Sequence, residues 1–130
     1  MSALGAFTNQ IVAFFEALSE TIPEEKSIQM ATEAIKGAKK INPKLILDLF
    51  FEHIYIDLHD AIDRKDVDAI NVYGRAKISG QFNEIMPAIT IFDKHWTTLS
   101  PTTQESVWKY LKVLCVLCER LKGGDISSGR

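Results

Sequence analysis

The chain of 130 residues has little of what usually carries chemistry: two cysteines, three histidines and four prolines. Two cysteines cannot staple a disulfide scaffold, so the fold has to rest on a buried core. Acids exceed bases by only two, 17 against 15, which leaves no field to gather nucleic acid. No apolar run reaches the roughly 18 residues that would cross a bilayer. The opening "MSALGAFTNQ" has no basic stretch ahead of an apolar one, as a secretory signal would. No glycine-rich phosphate loop and no G-x-S-x-G are present. What is there is ordinary for a globular domain: 46 % apolar and 25 % charged residues. These features predict an intracellular domain that takes up neither membrane nor nucleic acid and carries no cofactor.

Apolar residues recur at intervals of three and four, and strand-like alternation is hard to find. Leu4, Phe7, Ile11, Phe14, Phe15, Leu18 and Ile22 share one face and predict a helix from Ala3 to Thr21. Pro23 suits the first position of a second helix, running to about Lys40, because its missing N–H has no partner there anyway. Asn42 and Pro43 repeat that signal for a third helix to about Arg64, with the most apolar stripe of the chain. Asp66 caps a fourth from Val67 to about Ile78, although Gly74 lies inside it. Phe82, Ile85, Met86, Ile89, Phe92 and Trp96 predict a fifth, kinked at Pro87. Ser100 and Pro101 start the last, which should pack antiparallel to the fifth and stop near Gly123 and Gly124. The expectation is an all-α, single-domain bundle of five or six amphipathic helices over residues 1–124, with 125–130 as a flexible tail.

Both cysteines sit in "VLCVLCER", a C-x-x-C spacing on the last helix. One such pair offers two of the four ligands that zinc needs. The pair also lies about four turns from the helix N-terminus, too far for the dipole to activate a redox thiol. Cys118 falls inside the apolar stripe and Cys115 at its border, so both read as packing residues. On the third helix Asp48, Glu52, His59 and Asp63 line the side away from the apolar stripe. Asp48 and Asp63 stand about 22 Å apart at 1.5 Å per residue, so they cannot share one ion. His59 with Asp63, and His53 with Asp57, are expected to pair at i, i+4. Lys36, Lys39, Lys40 and Lys44 gather near the second inter-helix turn, where cations suit the end of the helix dipole.

Some apolar residues lie off the main faces: Val12, Ile46, Leu49, Ile56, Ile91, Trp108, Val113 and Val116. Several such residues on several helices point either to burial on two sides or to a partner surface. Trp108, Val116, Val113 and Ile91 are therefore the candidate interface, with Trp108 foremost because tryptophan is enriched where binding energy concentrates.

The segment "GQFNEIMPAITIFDKHWTTLSPTTQESVWKYLKVLCVLCERL", residues 80–121, resembles small helical proteins encoded by large DNA viruses of algae and protists, chiefly in "HWTTLS" and "VWKYLKVL". The resemblance implies a viral setting, in the virion or the host cytoplasm, and carries no catalytic residue with it. The reading is a non-enzymatic helical interaction or structural protein that binds a protein partner or itself. The alternative is a metal-binding or small catalytic helical bundle using Cys115, Cys118, His59 or His53.

Overall fold

A computed structural model describes residues 2–80 and 86–123. Among them the chain is helical with no strand, an all-α bundle around one continuous apolar core. The predicted tail 125–130 and the predicted face positions Phe82 and Ile85 lie outside the described residues.

Helix α1 (Ala3–Thr21) starts where Ser2 accepts a hydrogen bond from the Gly5 N–H at 2.9 Å, the usual N-cap arrangement. Phe7, Ile11, Phe14, Phe15 and Leu18 are buried along it. This helix packs along both α2 (Lys26–Ile41) and α7 (Pro101–Leu121). α2 begins three residues later than Pro23 suggests. Ile22 to Glu25 form a turn, closed by the Glu25 N–H on the Ile22 carbonyl at 3.1 Å. Glu25 occupies the N-cap position without capping, because its carboxylate is taken by His95.

Asn42 and Pro43 do open α3 (Pro43–Phe50), although the Asn42 side chain makes no capping bond. α3 passes without a break in direction through a π-helical turn (Phe51–Tyr55) into α4 (Ile56–Asp63). The Ile56 N–H reaches back five residues to the Phe51 carbonyl. A π turn admits one extra residue, and the helix must find other donors for its displaced carbonyls. Here the Tyr73 hydroxyl donates to the His53 carbonyl, and His59 Nδ1–H donates to the Tyr55 carbonyl at 2.8 Å. α4 ends with the Asp66 N–H on the Ala61 carbonyl at 2.8 Å and the Lys65 N–H on the Ile62 carbonyl at 3.1 Å. That double closure normally uses glycine at the left-handed position, which Lys65 fills with φ 57°.

α5 (Val67–Gly80) starts as expected, with Asp66 Oδ1 accepting from the Ala69 N–H at 3.0 Å. Gly74 is buried inside it, against Ile89. The predicted helix around Pro87 is not one kinked rod over its described part. A 3₁₀ turn (Met86–Ile89) leads into the five-residue α6 (Thr90–Lys94), and a second 3₁₀ turn (Trp96–Thr98) follows. The chain leaves helical geometry at His95, φ −124°, where the imidazole turns to Glu25. α6 packs mainly on α5, so the expected antiparallel pairing with the last helix gives way to packing of α7 on α1 and α4. α7 itself starts as the sequence indicates, the Ser100 hydroxyl accepting from the Thr103 N–H at 3.1 Å and Pro101 in the first turn.

Two of the four candidate interface residues belong to the core. Trp108 is 4 % exposed and Ile91 fully buried. The Trp108 ring lies 5.2 Å from Trp96 and 5.4 Å from Phe92, so the short helix and turn before α7 cover it. Ile46 is buried too, while Val12 and Leu49 are half-buried. Ile56, Val113 and Val116 remain exposed.

Candidate functional site

The α3–α4 rod and α7 run antiparallel, and three polar contacts set their register. Lys122 Nζ pairs with Asp48 Oδ1 at 2.7 Å, the Tyr55 hydroxyl donates to Glu119 Oε2 at 2.7 Å, and Lys65 Nζ pairs with Glu105 at 2.9 Å. In the Asp48–Lys122 pair the Lys122 side chain is 15 % exposed, with its ammonium 5.2 Å above the Phe51 ring. Phe51, Tyr55 and His59, each four residues on from the last, form a stacked column with centroids 5.9 and 4.6 Å apart. Burial first, and then the Glu119 carboxylate, pushes the Tyr55 hydroxyl well above its usual range, so it stays a donor.

Below this column α4 and α7 part into a groove of about 410 Å³. His59, Asp60, Ile62 and Asp63 line it from α4, and Lys112, Cys115, Val116 and Glu119 from α7. Of the exposed apolar side chains, Val116, 46 % exposed, lines the groove, while Val113 and Ile56, 43 % and 52 % exposed, lie outside its lining on α7 and α4. Buried Ile62 and Cys115 form its floor, and the charged side chains of Asp60, Asp63 and Glu119 stand exposed around it together with Val116.

Its histidine is not where the sequence reading puts it. His59 lies within hydrogen-bond reach of the Tyr55 carbonyl and sits 3.5 Å from Asp60 Oδ1, and Asp63 is not its partner. At 100° per residue, four positions leave His59 only about 40° from Tyr55, close enough for the rings to stack. The expected His53–Asp57 pair is likewise not formed. Asp57 acts on Tyr73 instead, which burial and that carboxylate push up to about 12. The acidic side of the third predicted helix is thus divided among separate tasks, with Asp48 held by Lys122 and Asp63 in the groove.

Cys115 and Cys118 are free thiols, 9 % and 0 % exposed. Burial pushes both up to about 12, so neither is a thiolate near neutral pH. Among the described residues no group of three or more His, Cys, Asp or Glu side chains stands where it could hold a metal ion. The lysine cluster is also partly occupied. Lys36 pairs with Glu16 at 3.1 Å and Lys39 donates to Asn9 Oδ1 at 2.5 Å, while Lys40 and Lys44 are exposed.

One half-buried polar contact escaped the sequence reading. His95 Nε2 meets Glu25 Oε1 at 2.9 Å, with side chains 16 % and 19 % exposed. The hydrogen bond to His95 holds the Glu25 carboxyl below the usual carboxylate value. Seventy positions separate the two, so no local spacing announces them.

Comparison with protein-family models, with curated proteins and with solved structures gives no match. No helix among the described residues is long and apolar enough to cross a membrane.

Proposed function

We propose that this chain is a non-enzymatic interaction protein that engages a protein partner through the exposed side of the α4–α7 pair. The observation that carries the reading is the groove with its exposed Val116 beside charged side chains. Val113 and Val116 stay in solvent on the same helix that buries Leu111, Leu114 and Cys118. Isolated exposed valines mean little, but Val116 lines a groove with both a histidine and acidic side chains. An apolar floor ringed by charged side chains suits a protein surface. The likeness of residues 80–121 to proteins of large DNA viruses supports a virion or infected-cell setting for that partner.

The test is site-specific photo-cross-linking. A photoreactive phenylalanine analogue replaces Val113 or Val116 in turn, with exposed Glu20 on α1 as the control position. In cells of the native setting the reading predicts one discrete adduct from both α7 positions and none from position 20. The same adducts from all three positions, or none from α7, would sink it.

A further inference from the structure

The outward face of α2 has a composition that a solvent-facing helix does not need. Met30 and Ile41 are the two most exposed large apolar side chains among the described residues, at 72 % and 87 %. Gly37 lies between them on the same face, and a Cβ built there meets nothing within 4 Å. A glycine inside a helix costs about as much as it would gain by becoming alanine, and no neighbour within this chain requires it here. Relative to Gly37, Met30, Ala34 and Ile41 fall on one flank, and Glu33 and Lys40 on the other. The buried positions Ile28 and Ile35 lie on the opposite side of the helix.

We infer that α2 is a self-association seam, on which a second copy of this chain packs antiparallel with the two Gly37 residues at the crossing. The two-fold symmetry of such a pair carries each residue to the same flank, at an equal distance beyond the crossing. At 1.5 Å rise, Glu33 lies about 6 Å before Gly37 and Lys40 about 4.5 Å after it. Glu33 of each copy therefore meets Lys40 of the other, twice over. On the opposite flank Ala34 meets Ile41 of the second copy, with Met30 a turn away. The charges are available: Lys40 makes no ion pair among the described residues, and Glu33 is only 3.8 Å from Lys36 at its nearest. Glycine at the crossing lets the backbones approach closely enough for these contacts. The seam is separate from the α4–α7 groove, so the two readings can fail independently.

A single pair of helices makes a small interface, so association should be weak and should depend on concentration. Sedimentation equilibrium from roughly 1 µM to 1 mM covers the range where such an interface titrates. The expected result is a monomer of 14.6 kDa passing to a dimer. Gly37→Leu fills the crossing without touching its own fold, and should weaken dimerisation at least tenfold with helicity unchanged. Lys40→Glu should do the same, and adding Glu33→Lys to it should restore the wild-type constant. A wild-type chain that is monomeric throughout overturns the inference. So does a dimer indifferent to Gly37→Leu and Lys40→Glu, because that dimer is seated elsewhere.

Discussion

The same substitution, glycine to alanine inside a helix, should have opposite signs at positions 37 and 74. Alanine is favoured over glycine in a helix by about 1 kcal/mol. At Gly37 the new Cβ meets nothing within 4 Å, so the chain keeps that gain in full. At Gly74 the Cβ would lie 2.6 Å from Ile89 Cγ2, well inside the 3.5–4.0 Å at which carbon atoms rest. Cγ2 hangs on a branched Cβ with no soft torsion, and Ile89 is 5 % exposed beside the Pro87 turn, so it has nowhere to go. Overpacking of this kind costs about 1–3 kcal/mol, which exceeds the propensity gain. A contact as short as 2.6 Å belongs to the upper part of that range, about 2–3 kcal/mol, so the net loss is about 1–2 kcal/mol, or roughly 3–10 °C in melting temperature for a chain of this size. Urea titration followed by far-UV circular dichroism, at a concentration where the chain is monomeric, reads both variants. Ile89→Leu moves the branch off Cβ, so in that background Gly74→Ala should cost about 1 kcal/mol less than in wild type. A Gly74→Ala variant as stable as wild type would show that the approach of α5 to the Pro87 turn is not as close as described.

Other consequences follow from the same packing. Trp108→Ala should lose about 3–5 kcal/mol, because it empties a site closed by Phe92 and Trp96; a loss under 1 kcal/mol in urea would return Trp108 to the surface. Cys115 and Cys118 are held near 12 against an ordinary thiol value of 9.0, so the native state keeps protons that the unfolded chain sheds. Stability is therefore full below pH 9 and falls as pH rises above it, by about 1 kcal/mol per thiol at pH 10. The double variant Cys115→Ala, Cys118→Ala should flatten that slope, and a flat wild-type profile between pH 8 and 10.5 would refute the assignment. Glu25 is displaced the other way: its contribution is present above the ordinary value of 4.5 and is lost as pH falls below it. Glu25→Gln should reduce that acid sensitivity, read from denaturation midpoints at pH 3 to 6.

Helix starts were legible in the sequence because they are made within a few residues. Ser2, Asp66 and Ser100 each bond an N–H three positions on, so residue type and spacing sufficed. Pro23 misled for a long-range reason: the carboxylate two residues later goes to His95, and the helix starts beyond it. The π turn had no marker in the apolar periodicity, since it is held open by Tyr73 from α5 as well as by His59. The helical wheel placed Trp108 off the main stripe, whereas the buried face of α7 runs through Trp108, Leu111 and Cys115; a wheel cannot say which second element covers that flank. Phe92 and Trp96 cover it, across twelve or more positions. The groove was half legible. Lys112, Val116 and Glu119 form a visible line on α7, whereas their facing residues on α4 depend on a register set by Asp48–Lys122 and Lys65–Glu105.

The arrangement of the core separates the two surfaces assigned here. α1 lies between α2 and α7, with its apolar residues enclosed from both sides. The outward face of α2 therefore points away from α1 on one side, and the α4–α7 groove opens elsewhere. No residue of the seam lines the groove, and no charge pair links them. Coupling between distant sites needs an element with two arrangements that both sites bias. None of the contacts between α1 and its neighbours supplies one: they are buried phenylalanine, isoleucine and leucine side chains that a shift would leave unpacked. Lys40→Glu should accordingly weaken self-association and leave the cross-link from position 116 at wild-type yield, whereas Val116→Asp should leave self-association intact and abolish the cross-link from position 113. A variant of either face that silences both readouts without unfolding the chain would mean that one surface, not two, carries the interaction.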